Sequence, residues 1–303
     1  MIKSLLLYMS EQPRLQRLAT SMEVSKRVAH RFVAGEKLSE AVEAVRVLNN
    51  RGFSATLDYL GEMINNREDA AIARDEYLAG LDQIHEHRLN SNVSLKLTQF
   101  GLGLDEEFCL KNVEPLIVKA AGQNNFVRID MEGSPYTDST LRIFTALRKQ
   151  YNNVGIVIQA YLFRSEKDIQ DVLQLGGRIR LCKGAYKEPP EISFKQKKDT
   201  DRNFIKLMQI LLKSDVYHGI ATHDPAMISA TREFAQKENI GKDHFEFQML
   251  YGVRRDLQDD LLKNDYRVRI YVPYGDEWYS YLMRRMAERP ANLIFVMRNL
   301  FRG

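Results

Sequence analysis

Polar side chains recur at the carboxyl ends of short apolar runs along this chain. Such runs are typical of buried strands, where a charged side chain needs a partner or a ligand because burying it alone costs several kcal/mol, roughly. The polar residues at these ends are Asp58, Lys96, Asp130, Gln159, Arg180 with Lys183, Thr222 with His223, Gln248 and Tyr271. One pair, such as Lys96 with Asp130, has a structural explanation. A polar end on every run predicts a site that holds cations and carboxylates together.

A second group of candidate residues lies on a helix predicted between residues 276 and 290. Its members are Trp278, Tyr281, Arg284, Arg285 and Glu288. Four of them fall on one face at helical spacing, and Arg284 can reach Glu288 one turn later. Arginine presents a planar fork of donors that suits a carboxylate. Because a predicted Val272-Pro273 turn puts this helix directly after the last strand, we expect it to cap a site for an anionic substrate.

Composition excludes several classes of function. The 303 residues carry 44 Lys and Arg against 40 Asp and Glu, and these cations are scattered, which argues against a nucleic-acid partner. The two cysteines, Cys109 and Cys182, form no disulfide framework and indicate a reducing compartment. We find no metal-ligand spacing. The apolar run at residues 5–8 is too short for a signal segment, so we expect a cytoplasmic protein, with peripheral contact at the inner face of the cytoplasmic membrane left open.

The elements that must position these residues alternate regularly after about residue 50. Eight runs rich in β-branched and aromatic residues predict strands, namely Phe53–Tyr59, Asn92–Thr98, Phe126–Met131, Val154–Tyr161, Arg178–Lys183, Gly219–His223, Phe245–Leu250 and Arg267–Val272. The longer segments between them carry an apolar stripe and a charged face, which predicts helices. Leu38, Ala41, Val42, Val45 and Leu48 predict one more helix before the first strand.

Eight strands that each precede a helix favour an α/β fold of the (β/α)8 TIM-like barrel type with N-terminal helices. We divide the chain into a helical cover, residues 1–50, and a catalytic barrel with its C-terminal helices, residues 51–303. A doubly wound sheet would carry a Gly-x-Gly-x-x-Gly turn after its first strand, and none follows Tyr59. In such barrels the active site lies at the carboxyl ends of the strands, where the polar residues fall.

Several segments, in this order, resemble motifs of the proline dehydrogenase family. They are LKLTQ (95–99), VRIDME (127–132), IQAY (158–161), RLCKGAY (180–186), ATH (221–223), FEFQMLYG (245–252) and YLMRRMAE (281–288). The pieces KGAY and YLxRRxxE are the most specific. The likeness runs from about residue 50 to the end, and the chain is similar to the monofunctional, bacterial members.

The resemblance implies a distorted (β/α)8 barrel that binds FAD non-covalently. It implies oxidation of L-proline to 1-pyrroline-5-carboxylate, the first step of proline degradation to glutamate, with electrons passed to a membrane quinone. In the family this enzyme also occurs fused to an aldehyde dehydrogenase that takes the product to glutamate. The chain lacks room for that module, so a separate pyrroline-5-carboxylate dehydrogenase is an expected partner.

The same resemblance assigns roles to individual residues. It implies catalytic roles for Asp130, Arg180 and Tyr271. It implies substrate contacts for Lys96, Tyr186, Leu250, Tyr281, Arg284, Arg285 and Glu288. It implies FAD contacts for Met131, Gln159, Arg180, Lys183, Gly184, Ala185, Thr222 and His223.

Other functions remain open from the sequence. A related flavin-dependent barrel could act on hydroxyproline or a folate, and a hydrophobic pocket discriminates only weakly against one added hydroxyl. A phosphate-binding isomerase or aldolase would need glycine-rich loops after the last two strands, where only Gly252 and Gly275 occur. A non-catalytic binding module is disfavoured by the polar strand ends.

Overall fold

The computed structural model describes residues 29–61, 64 and 66–288, with side chains described up to residue 283. Its eight strands are all parallel and form a closed barrel in chain order, because β1 also pairs with β8. The strands are β1 (Ser54–Tyr59), β2 (Ser91–Leu95), β3 (Val127–Ile129), β4 (Val154–Gln159), β5 (Arg178–Cys182), β6 (His218–Ala221), β7 (Phe245–Leu250) and β8 (Val268–Tyr274). The predicted (β/α)8 architecture is confirmed.

A helix follows each strand, and one more precedes β1. The helices are α1 (Leu38–Asn50), α2 (Arg67–Glu86), α3 (Glu106–Gly122), α4 (Ser134–Gln150), α5 (Ser165–Gln174), α6 (Lys197–Leu212), α7 (Pro225–Lys237), α8 (Arg255–Lys263) and α9 (Trp278–Glu288). The part of the predicted C-terminal helices beyond Glu288 lies outside the described residues, as does most of the predicted N-terminal cover. The division of the chain at residue 50 stays a prediction.

The core lies between the strands and the helices that surround them. Strand β4 is buried along its whole length; Val154, Ile156 and Ile158 belong to the main core. Helix α1 buries four of its five predicted stripe residues and packs against β1 and β8. Burial of such side chains contributes about 1.5–3 kcal/mol each, so this layer holds the barrel wall in place.

A second apolar cluster covers the carboxyl end of the barrel. It joins residues 29–33, just before α1, to the first two turns of α9, and Leu250 at the end of β7 packs against it. Two backbone hydrogen bonds tie the preceding segment to β8, from Ala34 to the Pro273 carbonyl (2.9 Å) and from Gly275 to the Gly35 carbonyl (3.0 Å). The mouth is therefore bordered by an N-terminal segment and by α9, which agrees with the predicted capping role of that helix.

The structure corrects several predicted element ends. Strand β2 ends at Leu95, and Leu97–Phe100 forms a 3₁₀ helix where the sequence predicted strand up to Thr98. Strand β8 continues to Tyr274 through the segment that we predicted to be a turn. Proline is tolerated there because the pairing of β8 with β7 stops at Tyr271, so that Val272–Tyr274 pair with β1 alone, as on an edge strand.

Among the described residues, no helix is both long enough and apolar enough to span a membrane.

Candidate active site

Four predicted site residues meet in one hydrogen-bonded cluster at the carboxyl end of the barrel. The Asp130 carboxylate, directly after β3, accepts hydrogen bonds from Arg180 Nη1 (2.7 Å) and from the Tyr271 hydroxyl (2.7 Å). The Lys96 ammonium lies 3.9 Å from the same carboxylate and donates to Asp58 at 3.0 Å. These residues come from β1, β2, β3, β5 and β8 or the residue just after them. We call Asp58, Lys96, Asp130, Arg180 and Tyr271 the mouth cluster.

Burial and neighbouring charges define the protonation of the mouth cluster. Burial would lower the pKa of Lys96, but Asp58 and Asp130 on either side raise it well above its ordinary value. Burial would raise the pKa of Asp130, yet Arg180 and Lys96 hold it below the usual range. Burial raises the pKa of Tyr271 well above 10, with Asp130 adding to the effect. The cluster therefore contains an ammonium, an ionised carboxylate and a neutral phenol donor.

Asp58 differs from the other members because burial dominates its titration. Its side chain is 1 % exposed, and burial raises its pKa above the ordinary value against the opposing effect of Lys96. Oxygen Oδ2 of Asp58 is buried and has no partner among the described residues. Asp58 thus anchors Lys96 through one oxygen while its other oxygen stays available.

The Arg180 guanidinium is held at one edge and left open at another. Its Nε donates to Gln248 (2.5 Å), and its Nη1 donates to Asp130 and to Ser94 (3.2 Å). Its central carbon lies 5.1 Å from the Tyr271 ring centroid, a cation–π distance. Nη2 is buried without a partner in the described part of the chain. A buried N–H edge of this kind is ready to donate to a bound molecule.

The predicted cofactor contacts on β4 and after β3 lie beside this cluster. Gln159, at the end of β4, donates to the Met131 carbonyl (3.2 Å) and to the Glu132 carbonyl (2.9 Å). Its Oε1 is buried and unpartnered among the described residues. Glu132 in turn accepts hydrogen bonds from the backbone and side chain of Thr98. Gln159 therefore offers an acceptor at a fixed position.

The ends of β5 and β6 carry the other predicted cofactor contacts. Lys183 pairs with Asp201 and with Asp224, which caps the start of α7 (2.7 Å for the Asp224 contact). The Thr222 hydroxyl accepts from the Asp224 backbone (3.1 Å), and His223 Nε2 accepts from the Leu250 backbone (2.8 Å). That bond puts the ring proton of a neutral His223 on Nδ1.

Gly184 lies so close to the Tyr161 ring that a residue with a Cβ would overlap it. Its φ is +113°, and a Cβ placed on it would lie 2.2 Å from the Tyr161 ring. Tyr161 is buried and bonded to Glu188 through its hydroxyl (3.3 Å), so the ring cannot move aside without breaking a contact. The following residues, Ala185 and Tyr186, are exposed. The turn after β5 is therefore packed against Tyr161 at Gly184 and exposed at the two residues that follow.

The remaining predicted substrate residues fall in the second apolar cluster or in α9. Tyr281 is 7 % exposed, and Leu250 is half-buried beside it. Residues Arg284, Arg285 and Glu288 lie in α9, but their side chains are outside the described residues. Their predicted roles stay predictions.

Three residues that the site needs were not among the predicted site residues. Asp58 and Gln248 were recognised only as polar strand ends, and Ser94 was not singled out. Ser94 precedes Lys96 by two positions on β2, so strand alternation could have identified it as an interior residue. What alternation cannot reveal is that Ser94 and Gln248 both contact Arg180, since that depends on how β2, β5 and β7 are staggered.

Comparisons with known proteins identify the family of this chain. A family model described as proline dehydrogenase matches residues 41–298. Proline dehydrogenase 1 of Bacillus subtilis is 40 % identical over 302 residues, covering 100 % of both chains. Proline dehydrogenase of Deinococcus radiodurans is 39 % identical over 302 residues, covering 98 % of this chain and 97 % of that protein. 

Among solved structures, proline utilization A (PutA) from Bdellovibrio bacteriovorus, inactivated by N-propargylglycine, superposes with a TM-score of 0.81. That PutA is 25 % identical and is matched over 87 % of this chain and 33 % of its own, so the present chain spans about a third of the longer protein. Together with the full-length relatives, the matches establish the lineage: the chain belongs to the proline dehydrogenase family.

Proposed function

We propose that the protein is an FAD-dependent oxidoreductase that oxidises L-proline to 1-pyrroline-5-carboxylate. The observation that carries the proposal is the mouth cluster, in which an ammonium and a guanidinium are fixed around one ionised carboxylate. Full-length relatives named proline dehydrogenase support the choice of substrate. The reaction would be the first step of proline degradation.

The residues at the mouth fit a flavin nucleotide. Arg180 Nη2 is a buried donor and Gln159 Oε1 a buried acceptor, both without partners in the described residues, and an isoalloxazine ring carries acceptors and a donor on one edge. Gly184 lets the turn after β5 pack closely against the Tyr161 ring, which fixes the position of this turn. The residues proposed to hold FAD are Met131, Gln159, Arg180, Lys183, Gly184, Ala185, Thr222 and His223. When bound, FAD supplies the acceptor for the hydride that leaves the substrate carbon.

Substrate binding is assigned to Lys96, to residues after β5 and at the end of β7, and to residues of α9. The Lys96 ammonium stays charged, so it can donate to a carboxylate, as can the guanidinium groups of Arg284 and Arg285. The residues proposed to shape the pocket round the proline ring are Tyr186, Leu250, Tyr271 and Tyr281, and Glu288 is proposed as a further substrate contact. Proline needs contacts to its carboxylate as well as to its ring. The small ring offers little apolar surface, and the carboxylate carries a full negative charge.

The catalytic contribution of the protein would be a fixed electrostatic environment. Asp130 orients Arg180 and Tyr271 through direct hydrogen bonds, and Ser94 supports the same guanidinium. Fixed donors and charges stabilise developing negative charge without having to reorganise during the reaction. Asp130, Arg180 and Tyr271 are therefore the proposed catalytic residues.

The electron acceptor and the partner enzyme are proposed from the resemblance to the family. Electrons would pass to a membrane quinone, which requires the protein to meet the membrane at its periphery from the cytoplasm. The product would pass to a separate pyrroline-5-carboxylate dehydrogenase. A link between the two activities is suggested by the similarity to the bifunctional protein PutA of Escherichia coli, which is 28 % identical over 89 % of this chain and 24 % of its own length.

The test is to purify the protein, release any bound flavin by denaturation and identify it. In a separate sample of the intact protein, we expect L-proline to bleach the flavin absorbance in the absence of oxygen. Bleaching by a reduced folate but not by proline would support the folate alternative, and faster bleaching by hydroxyproline would support that substrate. A purified protein that binds no flavin when FAD is supplied would refute the proposal.

A further inference from the structure

Beyond the mouth cluster, the barrel interior holds a line of polar side chains that the proposed chemistry does not use directly. Strand β7 points Glu246 and Gln248 inward, while Phe245, Phe247 and Met249 face the main core. Gln248 and Glu246 are each 4 % exposed. Buried polar side chains at such depth are stable only when their hydrogen bonds are satisfied.

The hydrogen bonds of these two residues lead directly to Arg180. Gln248 Oε1 accepts from Arg180 Nε at 2.5 Å, and Gln248 Nε2 donates to Glu246 Oε1 at 2.6 Å. Glu246 also accepts from Arg269 Nε (2.7 Å) and from the Tyr217 hydroxyl (3.0 Å). Arg269 is itself fixed to the Ala55 carbonyl at 2.6 Å. Gln248 therefore connects the guanidinium to an anchor built on β1, β7 and β8.

The orientation of the Gln248 amide is set by charge. If the amide were turned over, its NH₂ group would face the Arg180 N–H and its oxygen would face the Glu246 carboxylate. Burial alone would raise the pKa of Glu246, but Arg269 and its hydrogen bonds hold it below the usual range, so this carboxylate is ionised. Only the observed orientation pairs donors with acceptors at both ends.

The partners of the five N–H groups of Arg180 show what the bond to Gln248 contributes. Nε is bound by Gln248, and the two on Nη1 are bound by Asp130 and Ser94, which leaves the two on Nη2 without a partner in the described residues. Bonds at Nη1 alone would allow the guanidinium to pivot about that end. The bond at Nε removes this freedom and sets which edge remains open.

Gly219 on β6 makes room for the connection. A Cβ on Gly219 would lie 2.4 Å from Gln248 Nε2 and 2.8 Å from its amide carbon. The φ of Gly219 is not in the left-handed region, so the glycine is needed for space and not for backbone conformation. A single methyl group at this position would displace the Gln248 amide without deleting any polar group of the site.

We propose that Gln248, anchored by Glu246, is a positioning residue that sets the orientation of Arg180 toward the flavin. The inference rests on the proposed function. It does not make Gln248 a catalytic residue, because Gln248 acts through Arg180 and contacts neither Lys96 nor Asp130.

The test uses holoenzyme variants Gln248→Met and Gly219→Ala, with Gln258→Met as the matched control. Gln258 is 3 % exposed and donates to two backbone carbonyls of the β7–α8 region, so its replacement also removes a buried amide but leaves Arg180 untouched. The readouts are flavin content, thermal unfolding, the flavin midpoint potential, and the rate of flavin reduction at saturating proline together with the apparent Kd of proline.

We expect Gln248→Met to keep its flavin and to shift the oxidised-to-reduced equilibrium about tenfold toward the oxidised form, which is roughly 30 mV for a two-electron couple. A loosely held cation stabilises the negative charge of the reduced cofactor less well. Flavin reduction at saturating proline should fall roughly tenfold or more, with little change in the Kd of proline. Gly219→Ala should move both quantities in the same direction, and Gln258→Met should move neither.

A parental potential and reduction rate in folded Gln248→Met, or in Gly219→Ala if the first variant does not fold, would overturn the inference. An equal shift in Gln258→Met would also overturn it, because the effect would then reflect loss of any buried amide near β7. Failure of the proposed function looks different, since the parent protein itself would then bind no flavin or would not be reduced by proline.

Discussion

Replacing Asp130 by Asn removes an ionised carboxylate that Arg180 contacts directly while keeping the shape of the side chain. One Asp130 oxygen accepts from Ser94 (2.6 Å) and Arg180 (2.7 Å), and the other accepts from Tyr271 (2.7 Å). An Asn amide can place its oxygen toward Arg180 and Ser94 and its NH₂ toward Tyr271, whose hydroxyl can also accept. The substitution therefore removes the charge and preserves most hydrogen bonds.

The magnitude follows from these contacts. Removing one partner of a buried ion pair destabilises a protein by about 3–5 kcal/mol, and Asp130→Ala should reach that range because Ser94 and Tyr271 also lose their acceptor. Asp130→Asn should cost less, since the hydrogen bonds remain. In activity, loss of a charge-assisted bond of about 1.5–3 kcal/mol lowers kcat/KM roughly tenfold to over a hundredfold. We expect Asp130→Asn to lose kcat/KM by a factor in that range, and we expect Asp130→Ala to lose more.

The assay combines anaerobic flavin reduction by proline with flavin content and thermal unfolding. Asp168→Asn is the control, because Asp168 is also buried and paired with an arginine (2.8 Å to Arg164 Nε) but lies on α5. The control should lose stability and keep its rate. If Asp130→Asn folds, holds flavin and is reduced at the parent rate, Asp130 is a structural residue and the reasoning about the mouth cluster is wrong.

Three further outcomes are expected. Gly184→Ala should unfold at a lower temperature and retain less flavin on gel filtration, because a non-glycine φ of +113° is strained and the new Cβ would overlap Tyr161; full flavin retention would contradict this. For Asp224, lysine hydrogen bonds overcome burial and lower its pKa from 3.8 to about 2, so its ionised form stabilises the fold above pH 4 and this contribution is lost as the pH falls through 2. The unfolding free energy of Asp224→Asn, which retains a capping oxygen, should be lower than the parent's by about 1 kcal/mol at pH 6, and the difference should vanish near pH 2 in urea titrations. Arg284→Met and Arg285→Met should each raise the KM of proline roughly tenfold or more, and unchanged steady-state kinetics in both would assign the pair to a solvated face.

The barrel was predictable because its strands are short, buried on both sides and separated by amphipathic segments of regular length. Element ends were harder to predict. The extension of β8 through Pro273 depends on β7 ending opposite Tyr271, and a single sequence contains no information on where a neighbouring strand stops. The carbonyl of Pro273 also accepts from Ala34, a contact between residues far apart in the chain. The ends of these strands are therefore set by pairing with neighbouring strands and by tertiary contacts, which the local sequence pattern does not contain.

The candidate site was predictable as a set of residue types but not as a set of contacts. Alternation within a strand puts Asp130, Arg180 and Gln248 inside the barrel, and it does so from each strand alone. The contacts among them depend on how β3, β5 and β7 are staggered. That stagger brings the Arg180 side chain between Asp130 on one side and Gln248 on the other.

The stagger also arranges the interior charges in alternating order, and this order explains why single residues were difficult to assign from sequence. Arg269 contacts Glu246, Glu246 contacts Gln248, Gln248 contacts Arg180, and Arg180 contacts Asp130; Asp130 then faces Lys96, which pairs with Asp58. Each cation in this line lies next to an acceptor that also contacts another donor. A change at one member therefore alters the partner of the next, so a residue such as Glu246 can affect the mouth without lying in it. In a barrel whose interior is polar along such a line, the stability of that interior and the positioning of the site depend on the same side chains.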